Sequence, residues 1–182
     1  MATRTHPVPE RERAIDACDV LNDFIGDLIT GVMVFRDYVS SHQQGKTRLE
    51  MMVSVQKMCM SNIVLGLTKF EEFWVNFHDL VPEDHRSSCK AILRRMNQRK
   101  IGNFRDTYVG HIIDLKTKCP LKKSDVEAAF RVIAEPGIDE FLRWINDPKS
   151  NAHPDSVVSV VEAVRDTLQQ AYGITPDEII NR

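Results

Sequence analysis

Apolar side chains recur along this chain at the spacing of a helix. In the first long segment the spacings alternate between three and four residues, which puts the apolar positions on one stripe: Cys18, Leu21, Ile25, Leu28, Val32, Phe35 and Val39. The opposite face is polar and carries Asp16, Asp19, Asp23, Asp27 and Arg36. Gly45 interrupts the pattern, so we predict a first amphipathic helix that ends before it.

The same periodicity predicts a second and a third helix. Thr47 and Glu50 have the spacing of a capping box, in which a hydroxyl and a carboxylate satisfy the first free amides of a helix. The apolar positions that follow are Met52, Val55, Cys59, Ile63, Leu67, Phe70, Trp74 and Phe77. Pro82 is predicted as the first residue of the third helix. That helix carries Cys89, Ile92, Leu93, Met96, Phe104 and Tyr108, and Gly102 weakens its continuity.

A polar loop over residues 116–123 separates the third helix from the fourth. Ser124 and Glu127 again have capping-box spacing and predict the start of that helix. The helix must break or kink at Pro136 and Gly137, and its continuation ends near Pro148.

The C-terminal part of the chain completes an all-α pattern. Pro154 is predicted to open a last long helix that Gly173 closes, and residues 175–178 can start one further turn. No stretch alternates convincingly with period two, so strands are not predicted. We therefore predict an up-and-down bundle of five or six helices over residues 13–173. Residues 1–12 are expected to form a flexible tail, and residues 174–182 a C-terminal tail or short helical turn.

Composition and charge limit the partners of such a bundle. The 182 residues suit one domain, and the net charge of −2 argues against a protein that coats nucleic acid or a membrane. Any nucleic-acid binding must then depend on a local patch. No apolar run approaches the roughly 20 residues that cross a bilayer, and the polar start of the chain resembles neither a signal peptide nor an anchor. We expect a cytoplasmic protein without membrane contact.

The cysteines give no sign of a metal site. Cys18, Cys59, Cys89 and Cys119 are widely spaced, and in a chain without an export signal they are interpreted as reduced thiols. A zinc site would need close pairs of cysteine or histidine, which the spacing does not provide. No metal and no cofactor is therefore expected.

One stretch of the chain is strongly basic. Between Asp84 and Asp106 there is no acid, and the basic residues are Arg86, Lys90, Arg94, Arg95, Arg99, Lys100 and Arg105. Spacings of four place several of them on adjoining ridges of one helix. One interpretation is a track for phosphates, whose binding releases condensed counterions. The other is a solvated face that pairs with acids of a neighbouring helix, such as Glu71 and Glu72.

The end of this stretch combines residues suited to phosphodiester chemistry. A guanidinium such as that of Arg105 can hold a phosphate oxygen and stabilise charge that grows in the transition state. An imidazole ordinarily titrates near neutrality, so His111 is suited to move a proton, while Asp106 can orient either partner. On a regular α-helix, residues six apart are separated by roughly 120°. Arg105 and His111 therefore converge only if the helix is distorted or ends, which Gly110 would permit, or if they act from two chains at a dimer seam.

The same spacing occurs a second time. Phe35, Arg36 and Asp37 precede His42 as Phe104, Arg105 and Asp106 precede His111. About one such arginine–histidine pair is expected by chance, so one copy is interpreted as a decoy. Either histidine can also be an ordinary surface or helix-end residue.

These residues resemble the signature of the HEPN superfamily, and most closely that of its abortive-infection AbiU-like branch. HEPN domains are helical bundles with an arginine, a polar residue directly after it, and a histidine four to six residues further on. Arg105, Asp106 and His111 satisfy this pattern, and Gly110 with the Ile-Ile-Asp after the histidine also reads like family members. The family motif lies in a later helix of the bundle, which favours this copy over Arg36 and His42.

The resemblance implies a metal-independent endoribonuclease of phage-defence or toxin type. In such enzymes the 2′-hydroxyl of the RNA attacks the adjacent phosphate and leaves a 2′,3′-cyclic phosphate and a free 5′-hydroxyl. Carried over by position, His111 transfers the proton, Arg105 stabilises the phosphate, and Asp106 orients them. Asp106 departs from the more common asparagine and adds negative charge where a phosphate must sit.

The resemblance also implies partners. Family members commonly dimerise so that two motifs face one cleft, so we expect a homodimer with RNA as substrate and leave room for an antitoxin partner. The residues expected to bind the RNA backbone beside that cleft are Arg94, Arg95, Arg99 and Lys100.

Two other functions are compatible with the sequence. A HEPN-like helical module can serve interaction or dimerisation without catalysis, because fold does not fix function. A ligand-binding helical regulator is the third interpretation, and no recognisable DNA-reading helix-turn-helix supports it. The aromatic group Phe70, Phe73, Trp74 and Phe77 is assigned to the core or to a dimer seam under every interpretation.

Overall fold

The predicted all-α architecture is confirmed in the computed structural model, which describes residues 9–109, 119–120, 122–150 and 152–180. Within these ranges the chain forms no extended strand. The helices are α1 (Glu10–Gln43), α2 (Leu49–Phe77), α3 (Glu83–Gln98), α4 (Ile101–Phe104), α5 (Lys123–Ala134), α6 (Ile138–Ile145), α7 (Val157–Tyr172) and α8 (Pro176–Ile180). A π-helical turn (Arg105–Val109) follows α4 directly. The described part is therefore a bundle in which two long helices carry several shorter ones.

Helices α1 and α2 form an antiparallel hairpin at the centre of the bundle. Phe24 stacks on Phe70 with ring centroids 5.5 Å apart, while Arg13 pairs with Asp79 further along at 2.8 Å, so the two helices run in opposite directions. The crossing is tight at Gly31, where an added Cβ would lie 2.8 Å from an Ile63 side-chain carbon. The apolar stripe predicted from the first segment is buried from Cys18 to Phe35, and Val39 at its end is half-buried.

The capping boxes predicted for the starts of two helices were wrong. The residue that precedes α2 is Arg48 and not Thr47, and it makes no side-chain cap. The Thr47 hydroxyl instead pairs with that of Ser41 at 2.6 Å, because the chain folds back on the end of α1. Helix α5 begins one residue before Ser124 and also lacks a side-chain cap. Both predicted capping boxes therefore fail, since neighbouring contacts or a shifted start occupy the capping residues.

The predicted third helix is broken, and the break is not at Gly102. Helix α3 ends at Gln98, and Lys100 takes a left-handed conformation with φ of +56° before α4 starts. Pro82, predicted as the first helical residue, precedes the first residue Glu83. The residue before the left-handed position is Arg99, whose side chain is buried, and this anchor sets the place of the break.

The C-terminal end follows the predictions more closely. The break between α5 and α6 falls at Pro136 and Gly137, and Gly173 ends α7 with a φ of +60°. Helix α7 starts three residues after Pro154, and its N-terminus has a true capping box between Ser156 and Ser159 that the sequence analysis missed. The further turn predicted at residues 175–178 is α8.

The two ends of the described chain are tied together. The Arg11 guanidinium donates to the Glu178 carboxylate at 2.8 Å and to the backbone oxygen of Gly173 at 3.3 Å. Because α1 begins at Glu10, the last residues of the segment expected to be a flexible tail are helical.

Candidate functional site

The candidate site begins where regular α-helix ends. Phe104 closes α4 with its side chain 8% exposed, and its ring lies 5.2 Å from that of Tyr108 across the following π turn. Arg105 is the first residue of that turn, so the change of helix type coincides with the candidate catalytic arginine. The α-helical geometry that would separate residues six apart by roughly 120° therefore does not continue past Phe104.

Arg105 is held by its neighbour Asp106. The Arg105 Nε donates to Asp106 Oδ1 at 2.8 Å, and a second guanidinium nitrogen lies 2.7 Å from the same oxygen. This hydrogen bond raises the pKa of Arg105, and the charges of Glu72 and Glu71 on α2 add to the effect. The side chain is 37% exposed. The structure thus brings together two of the three predicted catalytic residues in an oriented, partly neutralised pair.

His111 lies outside the described residues. Its distance from Arg105 therefore stays a prediction. Gly110 and the Ile-Ile-Asp that carry the rest of the family resemblance lie outside them as well.

The basic stretch does not form one continuous surface. Arg86 at the start of α3 donates to the backbone oxygens of Val81 at 2.8 Å and Asp79 at 3.2 Å, so it holds the turn before the helix. Lys90, Arg94 and Lys100 are exposed.

Arg95 and Arg99 stack against helix α6. The Arg95 guanidinium lies 4.9 Å from the ring centre of Trp144, and that of Arg99 lies 5.2 Å from the same ring. Arg99 is 7% exposed, donates to the backbone oxygen of Ile133 and also lies over Phe141. Burial, followed by the nearby charge of Arg95, lowers the pKa of Arg99. Of the four residues expected to bind RNA, Arg94 and Lys100 are therefore exposed, Arg95 is half-buried and Arg99 is interior.

The residues of the second arginine–histidine pair, Arg36 and His42, make contacts within the fold. His42 Nδ1 lies 2.8 Å from the backbone oxygen of Thr47, a contact that closes the turn between α1 and α2. Phe35 is buried in the core, and Arg36 lines a mixed-charge groove with Asp139 and Arg143. These contacts account for His42 as a helix-end residue.

A cavity beside the π turn escaped the sequence analysis. It measures about 500 Å3 and lies between α2, α5 and the turn, with Tyr108 at the boundary. Its floor is apolar and its rim is charged; the lining residues are Val53, Gln56, Lys57, Met60, Ser61, Phe104, Tyr108, Val126, Glu127, Phe130 and Arg131. The sequence analysis identified the apolar positions of α2, and no signal along the sequence separates a cavity wall from a core face.

Comparison with known proteins adds information about the fold. No protein-family model and no curated protein matches the chain. Among solved structures the chain is similar to the integron cassette protein Vpc_cass2 from the mobile metagenome of V. paracholerae, with a TM-score of 0.74 and 24% sequence identity. The alignment covers 89% of this chain and 99% of that chain. At this identity the likeness shows a common all-α fold alone.

Two further observations concern membranes and metals. In the part of the chain that the structure describes, no helix combines the length and apolar character needed to cross a bilayer. The same residues contain no group of three or more histidine, cysteine, aspartate and glutamate side chains placed to hold a metal ion.

Proposed function

We propose that the chain is a metal-independent endoribonuclease of HEPN type, of the kind used in phage defence or as a toxin. The observation that supports this function best is the position of Arg105. It stands half-exposed at the first residue of a π turn, with its guanidinium oriented by Asp106. The helix is distorted just before His111, which meets one of the conditions under which Arg105 and His111 can converge. π turns are also often found at functional sites.

The proposed reaction needs one proton acceptor, one proton donor and one stabiliser of charge. A 2′-oxygen attacks phosphorus as its proton leaves, the bond from phosphorus to the 5′-oxygen breaks, and the 5′-oxygen takes a proton. His111 moves these protons, and Arg105 stabilises the growing charge on the phosphate oxygens. Asp106 acts through Arg105 as a positioning residue, which fits its hydrogen bond to the guanidinium.

The charges around Arg105 predict how RNA binds. Asp106, Glu71 and Glu72 reduce the positive potential at the guanidinium, so attraction of the RNA backbone must come from exposed cations such as Arg94 and Lys100. Few cations contribute, and we therefore expect weak binding that falls modestly with salt. Reversal of the charge at Arg94 should lower RNA affinity for all sequences alike and flatten the salt dependence.

Matched histidine substitutions test the proposal. Purified wild-type protein should cleave a labelled RNA in the presence of EDTA, and His111→Ala should abolish cleavage. His42→Ala, the control in the second pair, should cleave normally because His42 bonds to the turn between α1 and α2. Loss of activity in His42→Ala with full activity in His111→Ala would mean that the other pair is catalytic. An inert wild type would leave the nuclease proposal without support.

A second candidate function is a non-catalytic assembly module, and one surface favours it. Met51, Met58 and Leu65 lie seven residues apart on α2 with exposed fractions of 55%, 63% and 42%. Positions seven apart drift by only about 20° around a helix, so the three form one row of the coiled-coil type. A second copy of the chain in antiparallel orientation would centre on Met58 and place Met51 beside Leu65.

Charge at the two ends of α2 agrees with this antiparallel pairing. Lys46 and Arg48 stand before the first turn, and Glu71 and Glu72 stand near the last. An antiparallel copy brings each basic end against an acidic end and also aligns the helix dipoles favourably.

Sedimentation analysis separates the assembly surface from the nuclease proposal. Met58→Lys should convert a wild-type dimer to a monomer. Met33→Lys is the matched control, since Met33 is also exposed, at 55%. It comes two positions after Gly31, which faces α2, and so points away from that helix. A monomeric wild type, or a dimer that Met58→Lys leaves intact, would exclude this surface.

A further inference from the structure

We infer that the cavity between α2, α5 and the π turn binds a small amphipathic anion, such as an aryl or medium-chain carboxylate. The inference is independent of the proposed nuclease activity. The volume of the cavity, about 500 Å3, falls within the range of roughly 300–1,000 Å3 typical of small-molecule sites.

The floor of the cavity suits an apolar group. Met60 and Phe104 are buried with exposed fractions of 2% and 8%, and both reach the cavity wall. Phe130 and Tyr108 are half-buried and complete an apolar and aromatic surface. A flat ring or an alkyl chain that entered here would leave water for this surface, which is a favourable transfer.

The rim of the cavity selects a negative charge. Lys57 on α2 and Arg131 on α5 both line it, and neither makes a hydrogen bond or an ion pair with any other residue that the structure describes. Glu127 is the carboxylate at the rim and has an interaction of its own. Two cations and one carboxylate leave one net positive charge, so a monoanion balances the rim.

The remaining polar groups fix the orientation of such a ligand. The amide of Gln56 and the hydroxyl of Ser61 line the same cavity, and the Tyr108 hydroxyl stands free of hydrogen bonds to the rest of the described chain. These groups offer donors to a carboxylate held between Lys57 and Arg131. Sites of this kind combine an apolar body with a few convergent polar groups.

Calorimetric titration with a charged probe and its neutral analogue tests the inference. We use 2-naphthoate and 2-naphthamide, which share a ring system and differ in charge. The full-length protein should bind 2-naphthoate about tenfold more tightly than 2-naphthamide, because the charged hydrogen bonds are made only by the acid. Decanoate should likewise bind more tightly than its neutral analogue decanol.

Variants of the rim assign the preference to this cavity. Lys57→Gln and Arg131→Gln should each weaken 2-naphthoate binding about threefold, as exposed charges do, and the double variant should lose the preference for the acid. Lys90→Gln, an exposed lysine of α3 outside the cavity, is the control and should bind as wild type.

Val53→Phe tests the apolar part of the cavity. This substitution adds volume at the α2 wall and should weaken both probes to a similar extent. Each of three results would overturn the inference. The wild type could bind 2-naphthoate and 2-naphthamide with equal affinity, or it could fail to bind both 2-naphthoate and decanoate. The third result is a double variant that keeps the wild-type preference for the acid.

Discussion

The α1–α2 hairpin and the segment from Arg99 to Val109 are held in place by different interactions. In the hairpin the interior of the contact is apolar: Leu28, Ile63 and Leu67 have no exposed surface, and glycines let the helices approach. Polar contacts to Asp27 from Asn62 and Lys69 lie beside this apolar interior. In the segment a buried guanidinium anchors the chain, the helix breaks directly afterwards, and its type then changes at Arg105. Apolar periodicity is therefore sufficient to position the hairpin, whereas one cation redirects the chain where the candidate chemistry lies.

The largest loss of stability is expected from a substitution in the α1–α2 hairpin. Phe70→Ala removes a ring that stacks on both Phe24 and Phe73, so the free energy of unfolding should fall by about 3–5 kcal/mol. Urea denaturation measures this loss. Val75→Ala is the control on the same helix, since Val75 is 70% exposed, and it should change stability by less than about 0.5 kcal/mol. A loss below about 1 kcal/mol for Phe70→Ala would show that the hairpin is not the main support of the fold.

A smaller loss should follow from removal of the buried cation. Arg99→Met keeps an apolar stem against Trp144 but leaves the Ile133 oxygen without its donor, and we expect a loss of about 2–3 kcal/mol. Arg94→Met changes an exposed arginine of α3, five residues before Arg99, and should be nearly neutral. Equal effects in the two variants would mean that Arg99 does not anchor the segment.

These contrasts explain which parts of the structure could be predicted from sequence. The stripe from Cys18 to Val39 identified α1 because apolar spacing reflects one continuous core face. The break at Lys100 was missed because a basic residue in an arginine-rich stretch was interpreted as part of an exposed ridge. Only the packing of α6 shows that Arg99 is interior, since its aromatic partner Trp144 lies 45 residues further along the chain.

The candidate site was predicted in part. Arg105 and Asp106 were chosen from motif spacing, and the structure shows them paired at a distorted turn. The cavity beside Tyr108 could not be predicted, because it depends on how far α5 stands from α2. Neither helix encodes that separation by itself.

The smallest expected effect is a pH dependence of the free energy of unfolding that comes from His85, near the start of α3. The Thr167 hydroxyl donates to the oxygen of Ala163 at 2.7 Å, so it accepts from His85 Nε2 at 3.0 Å, and the buried His85 Nδ1 has no partner among the described residues. Burial, together with the nearby His153, lowers the pKa of His85 below its ordinary value of 6.5, although Asp84 opposes the shift.

The direction of the pH effect follows from this lowered pKa. Well above pH 6.5 the imidazole is neutral in both the folded and the unfolded state and contributes no slope. Below that pH the unfolded chain binds the proton more readily, so the free energy of unfolding decreases until the pKa of the folded state is reached. His85→Gln keeps a donor to Thr167 and removes the titration, so its urea-denaturation profile should be flatter between neutral and mildly acidic pH. Identical pH profiles for His85→Gln and the wild type would contradict the assignment of this pH dependence to His85.

The chemistry of the RNA ends tests the central claim most directly. Wild-type protein and Arg105→Gln are incubated with the same RNA in EDTA, and the fragments are analysed for their termini. The account predicts 2′,3′-cyclic phosphates and 5′-hydroxyls from the wild type and intact RNA from the variant. Fragments with 5′-phosphates, or equal cleavage by both proteins, would contradict it.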